Sequence, residues 1–293
     1  MKQNLQLYSF FFEIIFRVFS CLSVAERFHK IMSNLSDIGF PVKSEQDVNV
    51  LITETINYVE SIRCADGFYL RFSDASGAEI YLQGNPEQEL VGFNPHFDGQ
   101  SKRLVGLTKA IERDSSPLDG GFYAWANPTD EDVETSGEYP FVFDVPDFRT
   151  VEAIEFPHVC TIQLTAFASN DFKVFADAEK FRQSPDSNNM ADKSFIPSGL
   201  FLPDEKMTAI EPPRPIGIFA GEIKAFELKT NELSKEKFYW FLVETLGGAV
   251  DVVADAKLVA GEPKIGGVVS GQFWLSGRIV ESAELVQITK GVN

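Results

Sequence analysis

The sequence predicts an α+β fold: an antiparallel sheet with one main helix, followed by a small β-barrel. Three observations carry that expectation. Residues 44–62 hold apolar side chains at helical spacing behind a capping signal. Short β-branched and aromatic runs occupy much of the chain up to residue 168, separated by Gly, Asp, Asn and Pro turns. Five strand-like runs then crowd residues 216–288, with Gly pairs at 247–248 and 266–267.

The first 31 residues differ from everything after them. Tyr8 to Val24 is strongly apolar, yet Glu13 and Arg17 stand inside the run. A charge at a membrane helix centre costs roughly 2.5–3.5 kcal/mol, and the run is short for a span. An extension ahead of a start at Met32 is the preferred reading. A membrane-associated amphipathic helix and a signal peptide, with Ser23-Val-Ala25 as its cleavage end, are the alternatives. Length and composition then divide the rest into an acidic domain at 32–205, a Pro-rich linker at 206–212 and a barrel at 213–293.

Within the acidic domain, Ser44-Glu-Gln-Asp47 reads as a capping box. Val48, Ile52, Ile56, Val59 and Ile62 follow on one helical face, which predicts a helix to about Ile62 lying on a sheet. Phe68–Phe72 and Ala78–Leu82 flank Asp74-Ala-Ser-Gly77 and predict a hairpin, with Glu89–Phe93 as a third strand. Asn94-Pro-His-Phe-Asp-Gly99 holds two turn pairs and is expected to be a loop. Residues 103–112, 122–126, 139–144 and 157–168 read as strands, and 127–137 as an acidic solvated loop. Phe175–Arg182 reads as a short helix. No repeat with a period of 20–50 residues is evident.

The closing segment offers strands at 216–229, 238–245, 249–259, 266–276 and 277–288. Alternation along Ile216–Leu228 breaks near Ile223, which predicts a bulge there. Gly271 and Gly277 fit the bends of a small closed sheet. In strand order and glycine placement, residues 213–290 resemble an OB-fold, a five-stranded Greek-key barrel. That resemblance implies binding of an oligonucleotide, an oligosaccharide or a protein, without choosing among them.

Charge narrows the choice. The chain carries a net charge of −17. Residues 32–209 hold 30 acidic and 13 basic residues, and residues 210–293 hold 11 and 9. Neither segment has the basic footprint of a nucleic-acid binder. The scattered cysteines, Cys21, Cys64 and Cys160, make no disulfide framework and point to a reducing, cytoplasmic setting.

Motifs assign no reaction. His158 and Cys160 share a strand face, but no second ligand pair completes a zinc site. His96 shares the 94–99 loop with Asp98, a pair that would need a nucleophile for hydrolytic chemistry, and no GxSxG supplies one. Asp144 and Asp147, near Asp130, Glu131, Asp132 and Glu134, fit no calcium loop. Trp240, Trp274 and Trp125 are the candidates for stacking on a sugar or a base. The expectation is therefore a non-enzymatic binding protein without metal or cofactor, whose acidic domain meets a basic protein partner. A hydrolase built on carboxylates and His96 is the first alternative, and a carbohydrate- or nucleic-acid-binding barrel the second.

Overall fold

A computed structural model describes residues 34–113, 116–129, 136–151, 154–188, 190–198 and 213–282. The apolar extension at 1–31, Met32 and the linker at 206–212 lie outside the described residues.

The α+β expectation is overturned. The described chain is mostly β, in one four-stranded antiparallel sheet and one ten-stranded mixed sheet. The helix predicted to reach Ile62 is α1 (Glu45–Thr55), followed by one 3-10 turn at Ile56–Tyr58. Its start is as read: the Ser44 hydroxyl oxygen accepts from the Asp47 N–H at 3.3 Å, and Asp47 Oδ2 accepts from the Lys43 N–H at 2.9 Å. Its end differs because residues 60–64 form ladder bonds instead. β1 (Glu60–Cys64) pairs with β2 (Gly67–Ser73), so Ile62 sits opposite Tyr69. Tertiary pairing has overridden the helical period.

β2, β3 (Ala78–Gly84) and β4 (Leu90–Phe97) complete the small sheet in sequence order. β4 runs straight through Asn94-Pro-His-Phe97, the stretch expected to be a loop. Pro95 is tolerated because β4 is the edge strand of this sheet, where one side of the backbone needs no ladder partner.

The large sheet is built from two similar units. β5 (Arg103–Arg113), β6 (Ser116–Ala126) and β7 (Tyr139–Val145) form a meander, and β8 (His158–Ala168) returns beside β5. Short elements follow: β9 (Lys173–Phe175), α2 (Ala178–Arg182) and β10 (Ser194–Pro197). Then β11 (Ile216–Thr230), β12 (Lys237–Thr245) and β13 (Gly248–Asp255) form a second meander, and β14 (Val268–Ser282) returns beside β11. Three hairpin-connected strands and a fourth lying beside the first make a Greek key, here made twice.

The registers of the two keys correspond. Val105↔Cys160 matches Gly221↔Val269, and Phe122↔Phe143 matches Phe241↔Val252. The bulge at Thr108 matches the bulge at Lys224, beside the predicted site. The keys are joined by an antiparallel β8·β14 pair centred on Ala166↔Leu275. Each is also closed by a parallel contact with the other's return strand, Val253↔Phe167 in one and Asp144↔Ser276 in its counterpart. Two five-strand rings therefore share β8 and β14. The segment expected to supply its own fifth strand at 277–288 does not: residues 268–282 are one long strand, and β8 takes the fifth place in that ring.

One core runs through both rings. On β8 the alternate residues Cys160, Ile162, Leu164, Ala166 and Ala168 point into it. Phe141, Phe143, Phe219, Phe241 and Phe273 of β7, β11, β12 and β14 belong to the same core, with Phe219 and Phe273 stacked at 4.0 Å. Each buried phenylalanine contributes about 1.5–3 kcal/mol relative to exposure. Gly277 is needed where β14 crosses this core, since a Cβ there would lie 2.5 Å from the Phe143 ring. The small sheet and α1 cover the outside of the barrel through a second core. Leu51, Phe72 and Phe93 pack there with Phe167, Phe238, Trp240 and Trp274.

Candidate functional site

Where the small sheet meets the barrel, a seam of polar side chains is buried between two apolar cores. β3 contributes Glu79 and Tyr81, and β4 contributes His96, directly opposite Glu79. β14 contributes Ser276 and Arg278 from the other side. Arg278 bridges Glu79 and the Tyr81 hydroxyl, and its Nη1 lies 3.4 Å from Asp98 Oδ1 at the rim. The Tyr81 hydroxyl also donates to Glu79 Oε2 at 3.1 Å, so one carboxylate anchors both.

His96 is fully buried, and its Nδ1 stands 2.9 Å from Ser276 Oγ. Burial holds its pKa well below the ordinary histidine value, the Arg278 charge adds to the depression, and Gln163 opposes it. A neutral imidazole beside a serine hydroxyl has the composition of a nucleophile–base pair. Ser276 is 1% exposed, however, so its hydroxyl cannot meet a substrate. Asp98 does not orient the ring: it is exposed and faces Arg278. The sequence pair His96–Asp98 is thus separated, one partner inside the seam and the other at its mouth.

Deeper in, Asp251 has no exposed surface and accepts four hydrogen bonds. They come from the Gln100 N–H (2.9 Å), the Ser101 N–H (2.8 Å), Gln163 Nε2 (2.7 Å) and Trp240 Nε1 (2.8 Å). Its charge is spent on holding the 100–101 loop, β8 and β12 together. On the far side Arg103, 1% exposed, donates to Gly247 O, Leu246 O and Thr245 Oγ1 at 2.7–2.9 Å, with Phe195 5.2 Å away. It fastens the β12–β13 turn, where Gly247 takes φ +81°.

The tryptophans are placed as follows. Trp240 is 5% exposed, donates to Asp251 and lies under Lys229 Nζ at 5.8 Å. Trp274 is 9% exposed, packs on Phe167 at 5.1 Å and donates to Asp144 Oδ2 at 3.3 Å. Trp125 is half-buried on β6. The structure does not bring the three together. Cys160 is buried and His158 half-buried. Asp144 is paired with Arg113 at 2.7 Å, while Asp130, Glu131, Asp132 and Glu134 lie outside the described residues. Among the described residues, no three His, Cys, Asp or Glu side chains converge as metal ligands.

Asp251, Arg103, Arg278 and Glu79 were not singled out from the sequence. Asp251, Glu79 and Arg278 each show as a lone charge inside an apolar strand, as in Ala249-Val-Asp-Val-Val253, whereas Arg103, next to Lys102 at the start of its strand, shows no such signal.

A different feature lies on the surface. Beyond its bulge, β11 pairs with β12 on one side only, and no described residue pairs with the other side of residues 225–230. Asn231 N–H donates inward to Glu236 O, so by alternation the N–H and C=O of Phe226, Leu228 and Thr230 face the open side. Phe226 is 36% and Leu228 44% exposed, on the face shared with Tyr239 and Phe241.

The fold and these features define a protein of two fused Greek keys with a sealed polar seam and an open strand edge. No family model, curated protein or solved structure matches the chain.

Proposed function

We propose that this is a non-enzymatic interaction protein whose acidic body meets a basic protein partner. One observation carries the reading: the chemistry-bearing side chains are consumed inside, while carboxylates at the surface are left uncompensated. Glu45, Glu54, Glu87, Glu155, Glu236 and Glu262 are exposed, and none has an ion-pair partner among the described residues. Exposed charge of one sign steers an oppositely charged partner and speeds its arrival.

The hydrolase reading has the 2.9 Å His96–Ser276 contact in its favour and the burial of both residues against it. The closed ring of β11, β12, β13, β8 and β14 supports an OB-like barrel. Buried indoles at Trp240 and Trp274 offer no face to a sugar or base, and the acidic charge opposes a phosphate backbone. Cys64 and Cys160 are free thiols, which supports a reducing, cytoplasmic setting. No helix among the described residues is long and apolar enough to cross a membrane.

The test is capture by the full chain from its native extract at low and raised salt, followed by titration of the purified partner. The expected result is a basic protein that binds directly and is released as salt rises. Absence of any basic binder, or a hydrolytic turnover abolished by Ser276→Ala, would overturn the reading.

A further inference from the structure

The open edge of β11 has properties that the fold itself does not require. Because the two keys correspond in register, each position on β11 has a counterpart on β5. Phe226 corresponds to Ala110 and Leu228 to Glu112. The first key therefore carries a small residue and an exposed charge where the second carries two large apolar side chains. Charges on an edge strand discourage pairing with another chain, and exposed apolar residues invite it.

We propose that a second copy of this chain pairs antiparallel with β11 along this edge, with Leu228 on the two-fold axis. A strand added to an open edge satisfies the main-chain N–H and C=O of Phe226, Leu228 and Thr230. Charge selects both the occupant and the register. The chain as a whole carries −17, so two copies repel over most approaches. Residues 222–230 are neutral, however, with Glu222 and Glu227 balanced by Lys224 and Lys229.

Two-fold registers can centre on residue 226, 227, 228 or 229. Centring on Glu227 sets that glutamate against its own copy, and centring on Lys229 does the same for the lysine. Centring on Phe226 sets Glu227 against Ala225. Glu227 and Lys229 pair within their own chain at 3.1 Å, and only the Leu228 centre sets this pair against its copy so that Glu227 also lies opposite the partner's Lys229, twice by symmetry. These are positions whose backbone does not face the shared edge, where side chains of an antiparallel pair come closest. The same register joins Phe226 and Leu228 of both copies into one apolar strip on the opposite face. A self-complementary patch of this kind is what a two-fold dimer needs.

The experiment is the solution mass of the full chain over a range of concentrations, by light scattering or sedimentation equilibrium. Wild type is expected to be dimeric at high concentration. Leu228→Glu, which installs the first key's residue and sets two charges against each other on the axis, is expected to be monomeric with its thermal midpoint retained. Leu228→Pro is the second variant: it removes an N–H that faces the open side, not one bonded to β12. Glu227→Lys is expected to shift the equilibrium toward monomer, and the double variant E227K/K229E to restore the dimer. A monomeric wild type, or a dimer unaffected by both Leu228 variants, overturns the proposal. Either result leaves the basic-partner reading standing, since that rests on other residues and on binding to a different protein.

Discussion

Asp251→Asn should be among the most damaging conservative changes available to this protein. In the wild type, Oδ1 accepts from the Gln100 N–H and Trp240 Nε1, and Oδ2 from the Ser101 N–H and Gln163 Nε2. Asparagine has one acceptor oxygen. Turned one way, its NH2 group faces the Gln100 N–H and Trp240 Nε1; turned the other, it faces the Ser101 N–H and the Gln163 amide, which could accept only by flipping away from Thr165 Oγ1. Each lost bond to a charged group costs about 1.5–3 kcal/mol, so the two together cost about 3–6 kcal/mol. That is a large share of a typical stability of about 5–15 kcal/mol. Urea unfolding followed by tryptophan fluorescence measures the loss, and Trp240, being a direct donor, reports the site itself. Asp98→Asn is the control: its carboxylate is exposed and meets Arg278 at 3.4 Å, so its removal should change stability by less than about 0.5 kcal/mol. A loss below about 1 kcal/mol for Asp251→Asn would show that desolvation of the carboxylate cancels its four bonds, and that Asp251 does not hold the 100–101 loop, β8 and β12 together.

Asp37 is the converse case. Burial raises its pKa well above the usual carboxylate range, and Oδ2 has no partner among the described residues. The folded state then keeps a proton that the unfolded chain has lost, so wild-type stability falls as pH climbs from about 3.9 through the raised folded value. Asp37→Asn should flatten that fall and stabilise the protein at pH 7 by about 1–3 kcal/mol, read from urea midpoints across a pH series. His96 acts in the opposite window. Its folded pKa is depressed by burial, so its contribution is intact above about 6.5 and is lost as pH drops toward the folded value. Wild type should therefore weaken more steeply on acidification than His96→Asn, and equal slopes would mean that His96 is not buried in its neutral form. Arg103→Lys keeps the charge but loses the fork that holds residues 245–248; it should cost about 3 kcal/mol or more, measured as a lowered thermal midpoint.

Local chemistry was legible in the sequence at several caps, turns and pleats, though not at Asn94-Pro95, where the edge of a sheet absorbed a turn signal. Ser44 and Asp47 marked the helix start, Asp74–Gly77 marked the β2–β3 hairpin, and the break in alternation near Ile223 marked the bulge, because caps, turns and pleats are short-range. The helix end was not legible, since Ile62 is claimed by a ladder to Tyr69 that no local pattern announces. The doubled Greek key was hidden for a similar reason. Its evidence is register, and equivalent positions such as Ile111 and Glu227 share no chemistry. The buried seam is a tertiary product as well: His96 and Ser276, or Asp251 and Gln163, meet only because β4, β8, β13 and β14 converge from distant parts of the chain. By itself the sequence determined the strand-rich local rhythm, the acidic surface and the scarcity of reactive groups. Only the tertiary structure decided which charges are sealed, which strand closes each ring and which edge stays open, because burial and pairing depend on residues far apart in the chain.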